Sequence, residues 1–181
     1  MARTTEINVD GRQLRLSNLS KVLYPEAGFT KGQVIEYYTK IAPVILPHLA
    51  DRALTLKRYP DGVGGMHFYE KQCPAYHPPW VKIKSVPREG SEGNIDYCVV
   101  NNTATLLWVA NLASIELHTL LSTKRNIHRP TMMVFDFDPG PPATVLDAVR
   151  IALRVRDVLA DLKLECFAKT SGGKGIHLFV P

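Results

Sequence analysis

The chain has 181 residues and a mass of 20.2 kDa, with 45% apolar and 22% charged residues. That composition excludes disordered, collagen-like and coiled-coil classes, and no run of about 18 apolar residues exists to form a membrane span. The net charge of +5 is unevenly spread: residues 1–88 carry 13 Lys and Arg against 7 Asp and Glu, whereas residues 89–181 carry 9 against 10.

A basic half suits an anionic partner such as nucleic acid, although a solvated basic surface has the same composition. The N-terminus lacks the apolar core of a signal peptide, so a cytoplasmic protein is expected. Cys73, Cys98 and Cys166 are widely spaced and odd in number. They form neither a CxxC zinc site nor a disulfide framework, and reduced thiols are the expectation.

Residues 5–16 alternate around Asp10-Gly11, a favoured two-residue hairpin turn. A helix is predicted over Lys31–Leu49, capped by Thr30 with Gln33 completing a capping box, and ended or kinked at Pro43. Short strands follow at 53–58 and 66–71. Two more, at 80–87 and 95–100, flank the polar loop Arg88–Asn94. Thr103–Leu121 reads as one long helix capped by Asn102 or Thr103, which places His118 on its third turn or later. A strand at 131–137, a helix at about 144–162, and strands at 164–169 and 175–180 complete an α+β pattern with a largely antiparallel sheet.

Four constellations carry chemistry. Phe135-Asp136-Phe137-Asp138 ends an apolar strand, and alternation sends Asp136 and Asp138 to one side. Two carboxylates on one face suit a divalent cation such as Mg²⁺ or Mn²⁺, although a turn cap at Asp138 and a solvated Asp136 fit the same spacing. Thr170-Ser171-Gly172-Gly173-Lys174-Gly175-Ile176-His177 combines converging backbone N–H groups with a hydroxyl, an ammonium and an imidazole. That is a phosphate-binding collection without the spacing of a Walker A loop. Lys21 and Lys31 flank a short segment after Asn18, near the predicted start of the first helix, where a terminal phosphate could dock, although each alone also fits a solvated surface side chain. Lys57-Arg58-Tyr59-Pro60 and His67-Phe68-Tyr69-Glu70-Lys71 interleave bases with aromatics that could stack on nucleobases. Trp80 and Trp108 are assigned to packing.

Together these segments resemble the polymerase domain of bacterial-type DNA ligase D, in the archaeo-eukaryotic primase superfamily. The likeness runs in order through Ser17–Pro25, Lys57–Pro60, Phe68–Lys71, Pro78–Trp80, Glu116–His118 and Asp136–Gly140 to Ser171–His177. It implies a primase-polymerase core with antiparallel sheets flanked by helices. The chain would be a single, partial domain, DNA-binding over about residues 1–100 and metal- and nucleotide-binding over about 101–181.

The implied activity is that of a non-homologous end-joining nucleotidyltransferase, which binds 5′-phosphorylated ends or gaps and adds nucleotides, preferentially ribonucleotides, to a 3′ end by a two-metal mechanism. Asp136 and Asp138 would hold Mn²⁺ or Mg²⁺. Ser171, Gly172, Gly173, Lys174 and His177 would bind the NTP or dNTP, with His118 close to it as a catalytic group. Asn18, Lys21 and Lys31 would take the 5′-phosphate, Phe68 or Tyr69 would stack on the template base, and Lys57, Arg58 and Lys71 would make further contacts. The loop Lys84–Asn94 would help position two DNA ends.

Implied partners are DNA with double-strand breaks or gaps, a DNA ligase and the Ku end-binding protein, at the nucleoid and away from membranes. The family's third metal carboxylate lies on a strand after the SGGKG-like motif, whereas the last acidic residue here is Glu165. The expectation is therefore a fragment or short form with weak or no extension activity. The alternative is a non-catalytic module that binds 5′-phosphorylated DNA ends.

Overall fold

Strict alternation over the first residues builds a hairpin in the computed structural model, which describes residues 4–181. Strands β1 (Thr4–Val9) and β2 (Arg12–Ser17) pair antiparallel. Asp10 and Gly11 both take positive φ (52° and 75°), as a two-residue turn of matching twist requires. Leu14 and Leu16 of β2 point into the core. Two short strands that the pattern does not predict, β3 (Val22–Tyr24) and β4 (Phe29–Thr30), lead into helix α1 (Lys31–Leu49).

Thr30 and Gln33 form the predicted reciprocal capping box on α1. Pro43 does not end the helix, and Pro47 also lies inside it. Both prolines face solvent, while Val34, Ile35, Tyr38, Ala42 and Leu49 are buried on the opposite side. Burial of that stripe outweighs the missing hydrogen bonds, which cost about 3 kcal/mol at an interior proline.

The main sheet is built on β5 (Ala53–Arg58). It pairs with β9 (Ser114–Thr119) along its length, with β8 (Asn94–Val99) at residues 53–54, and with β6 (Phe68–Glu70) at residues 56–58. Strand β7 (Lys82–Pro87) pairs with β8 through a hairpin closed by Arg88 N–H donating to the Gly93 carbonyl. The predicted long helix is instead a short one, α2 (Thr103–Asn111), followed by a turn and β9. Ala113 at φ 57° makes that turn, and Ile115 and Leu117 then alternate inward against Glu116 and His118. His118 therefore stands on a strand. Helix α2 is largely apolar and is buried on every side from Ala104 to Ala110, with Leu106 and Val109 fully enclosed.

The thiols are not all reduced. Cys73 and Cys98 form a disulfide with Cα atoms 5.1 Å apart, and only Cys166 is free. Sequence spacing hides this pair because the segment after β6 runs beside β8, where Cys73 N–H donates to the Asp96 carbonyl.

The chain divides into two compact units, one up to Ile127 and one from His128 to Pro181. The second holds β10 (Met133–Phe137), α3 (Val145–Asp161), β11 (Phe167–Thr170) and β12 (Ile176–Val180), in sheet order β10-β12-β11. All strand pairings described in the two units are antiparallel. No helix among the described residues is long and apolar enough to cross a membrane.

Asn111, at the end of α2, fastens the first hairpin. Its Oδ1 accepts from Ser17 N–H at 3.0 Å and its Nδ2 donates to the Arg15 carbonyl at 3.2 Å. Asn111→Ala strands both backbone groups and is expected to cost about 1–3 kcal/mol. Urea unfolding checks the cost, and faster amide exchange at Ser17 identifies its origin.

Candidate functional site

A cavity of about 760 Å³ opens in the first unit between the β2 end, the turn after it and α2. Asn18, Lys21 and Lys31, singled out from sequence, all line it, together with Ser17, Arg58 and Asn111. The wall is built by a tight turn at residues 17–21, with Asn18 at φ 53°. Lys21 N–H donates to the Asn18 carbonyl at 2.9 Å. The turn then seats on α1: Lys31 N–H donates to the Lys21 carbonyl and Gly32 N–H to the Leu19 carbonyl, each at 2.8 Å. A side chain at Gly32 would press on that carbonyl, with Cβ only 3.1 Å from it.

This seating changes the sequence argument. The first amides of α1 are consumed by the protein and by the Thr30 cap, so they do not face an anion. The positive character of the cavity comes from side chains instead. Lys21 pairs with Asp61 at 2.9 Å. Lys31 is only 5% exposed, and its closest polar partner is Ser17 Oγ at 3.5 Å. Among the described residues no carboxylate pairs with it. Burial, with Lys21 and Arg58 nearby, lowers its pKa from 10.5 to about 8. A buried ammonium without a counter-charge is costly, and such groups concentrate where a ligand supplies the missing charge.

Neighbouring residues of β5 serve opposite faces. Arg58 lines the cavity, donates from Nε to the Leu112 carbonyl at 3.0 Å and from Nη1 to Glu70 Oε2 at 2.9 Å, and lies over the Phe68 ring. Lys57 sits across from Tyr69 on one side and Glu116 on the other. Its Nζ is 2.7 Å from Glu116 Oε1 and 5.4 Å from the centroids of both Tyr59 and Tyr69. Tyr59 OH also donates to Glu116 Oε1, and His118 Nε2 lies 3.1 Å from Glu116 Oε2.

Burial alone would raise the Glu116 carboxyl, but hydrogen bonds from Lys57, Tyr59 and His118 outweigh it and hold the pKa below its ordinary value. The same bonds, to Glu116 and then Tyr59, hold the Lys57 ammonium above its usual range. Phe68 and Tyr69 are both exposed, on opposite faces of β6, and Lys71 is exposed just after it.

In the second unit, alternation separates two faces. Met133, Phe135 and Phe137 share the α3 side with Ile176, Leu178 and Val180, whereas Asp136, His177 and Lys169 are cross-strand neighbours on the other. His177 Nε2 lies 3.3 Å from Asp136 Oδ1, and Lys174 Nζ lies 3.7 Å from Asp138 Oδ2. Gly175 passes so close to the end of β10 that a Cβ there would overlap the Phe137 carbonyl.

The glycine turn does converge its N–H groups, but on its own side chain. Gly173 N–H and Gly175 N–H donate to Ser171 Oγ at 3.2 and 3.1 Å. Ser171 therefore shapes the loop, while Lys174 carries its positive charge beside Asp138. Asp136 and Asp138 are both exposed hard-oxygen donors, which suits Mg²⁺ or Mn²⁺. No group of three or more His, Cys, Asp or Glu ligands gathers among the described residues.

Comparison with known proteins gives the family and the fold. The family model for the LigD primase-polymerase domain covers residues 30–181. The chain belongs to the LigD primase-polymerase family. It is 41% identical over 171 residues to the multifunctional non-homologous end joining protein LigD of Mycolicibacterium smegmatis, covering 93% of this chain and 22% of that protein. The Mycobacterium tuberculosis LigD is 37% identical over 178 residues, covering 94% of this chain and 23% of that protein. Among solved structures, the polymerase domain of M. tuberculosis ligase D in complex with DNA superposes with a TM-score of 0.86 at 38% identity. That match covers 93% of this chain and 61% of the solved one. The chain thus spans about a fifth to a quarter of the length of its LigD relatives.

Sequence reasoning missed Glu116 as a hub because it read that segment as helix. The alternation of Ile115, Glu116, Leu117 and His118 was the available signal.

The buried Lys31 charge has a definite pH signature. Between about pH 8 and 10.5 the unfolded chain holds a proton on Lys31 that the folded chain has released. The penalty is fully present below pH 8 and is relieved as pH rises through that window. Lys31→Met should raise stability at pH 7 by about 1–3 kcal/mol and flatten this rise, as measured by urea unfolding at pH 7, 9 and 10.5.

Proposed function

We propose that the chain is the DNA-engaging core of a non-homologous end-joining repair polymerase, and that its cavity receives the 5′-phosphate of a broken or gapped DNA strand. The observation that carries this reading is the buried, carboxylate-free Lys31 ammonium beside Lys21, Arg58 and Asn18. A terminal phosphate dianion supplies the charge that Lys31 lacks, and the Asn18 amide can donate to a third oxygen. The cavity alone would also suit a free phosphate, but the basic first half and the DNA-bound relative favour an end of a duplex.

The second unit supports nucleotidyl transfer. A divalent cation, Mn²⁺ or Mg²⁺, held by Asp136 and Asp138 would supply the Lewis-acid stabilisation and hydroxyl activation of a two-metal displacement. Lys174 and His177 stand beside those carboxylates and would bind a triphosphate, while Ser171 holds the glycine turn in shape. NTP or dNTP would be the substrate, with DNA ligase and Ku as partners of the repair reaction in the cytoplasm at the nucleoid. A third carboxylate, which the resemblance puts on a later strand, has no counterpart after Glu165 within residues 1–181.

Two measurements check this reading. Affinity for gapped DNA should fall at least tenfold when the 5′-phosphate is removed, and Lys31→Met should erase that difference. Equal affinity for both DNAs would sink the phosphate pocket. In Mn²⁺-supported primer extension, any activity should disappear with Asp136→Ala. Phosphate-dependent binding without extension would instead identify a non-catalytic end-binding module.

A further inference from the structure

The exposed side of β6, β5 and β9 carries a second organised cluster that the phosphate cavity does not use. Lys57, Tyr69 and Glu116 are cross-strand neighbours, and His118 follows Glu116 by two residues on the same face. Glu116 accepts from three side chains around it, Lys57, Tyr59 and His118. Its Oε1 takes Lys57 Nζ and Tyr59 OH, and its Oε2 takes His118 Nε2. An ionised carboxylate has no proton to give, so Nε2 must be the donor nitrogen of His118. The tautomer is thereby set, with Nδ1 as the acceptor nitrogen of the ring.

The aromatic geometry depends on the same carboxylate. His118 meets the Tyr69 ring edge-on, with centroids 5.5 Å apart and planes at 70°. Lys57 Nζ stands 5.4 Å from the Tyr69 centroid. Tyr69 itself is 58% exposed. A large aromatic ring held by a cation and an imidazole, yet open to solvent, is an adhesive platform for a flat ligand. The charge of Lys57 is already matched by Glu116, so the cluster recruits by stacking rather than by net charge.

We propose that Glu116 is a positioning residue for single-stranded DNA: it braces Lys57 and His118 around Tyr69, so that Tyr69 presents a fixed ring on which an unpaired base stacks. This inference rests on the repair-polymerase reading above. It adds a residue that never touches DNA but fixes the ring that does.

The test uses the full chain and one 5′-phosphorylated duplex, made with and without a single-stranded template tail. In the wild type the tail should tighten binding about tenfold, in line with one stacked base, and the gain should change little with salt. Tyr69→Ala should remove it. Glu116→Gln, which keeps size but cannot accept from all three donors, should remove most of it, and Glu116→Asp should restore part. Long-range ¹H–¹⁵N spectra should show His118 as the Nε2–H tautomer in the wild type and as a mixture in Glu116→Gln, with other amide signals unmoved.

A tail gain that survives Glu116→Gln, an unchanged tautomer, or no tail gain in the wild type would each overturn the proposal. The phosphate pocket is judged separately, by whether removing the 5′-phosphate weakens wild-type binding to the tailless duplex.

Discussion

The first unit is organised around an ammonium with no carboxylate to answer it. Lys31 opens α1, and the turn at residues 17–21 closes over that helix start by taking its first amide hydrogens. The turn needs the left-handed Asn18, the hairpin before it is held by Asn111, and α2 holds Asn111 in place. Each element is an ordinary solution to local hydrogen bonding. Their sum puts a positive charge in a place where water cannot solvate it well. A protein tolerates that arrangement when the compensating charge arrives from outside, because stability is small and one uncompensated buried ion is a noticeable part of it.

Strand alternation then distributes the chemistry. Lys57 and Arg58 are adjacent in sequence, yet β5 turns Arg58 to the cavity and Lys57 to the opposite face. Each cation is held by a carboxylate on a neighbouring strand, Arg58 by Glu70 and Lys57 by Glu116, and each lies against an aromatic ring. The second unit repeats the logic on its own sheet. Apolar side chains of β10 and β12 face α3, which frees Asp136 and His177 for the other side.

Much of this was legible beforehand because it is local. The Asp10-Gly11 turn, the capping box of α1, the Asn102 cap of α2 and the strand ending in Asp136 are each written in a few consecutive residues. Apolar residues are dense from Thr103 to Leu121 and so predict one helix there, but density does not distinguish a buried helix from a buried strand. The actual break is a left-handed Ala113, which composition does not announce. The Cys73–Cys98 disulfide and the proline-tolerant α1 likewise depend on neighbours far away in the chain.

By itself, then, the sequence determined which chemical groups are present and in what order: the paired aspartates, the glycine turn with Lys174 and His177, the scattered lysines and the aromatic-basic strands. Order and short-range periodicity suffice for that, since they act over a few residues. Only the tertiary structure decided what those groups do to one another. It spent the helix-start amides on the turn at residues 17–21, gave the glycine-turn amides to Ser171, buried Lys31 and made Glu116 a hub. Burial and long-range hydrogen bonding set the cost of each charge, and they exist only once distant segments are packed together.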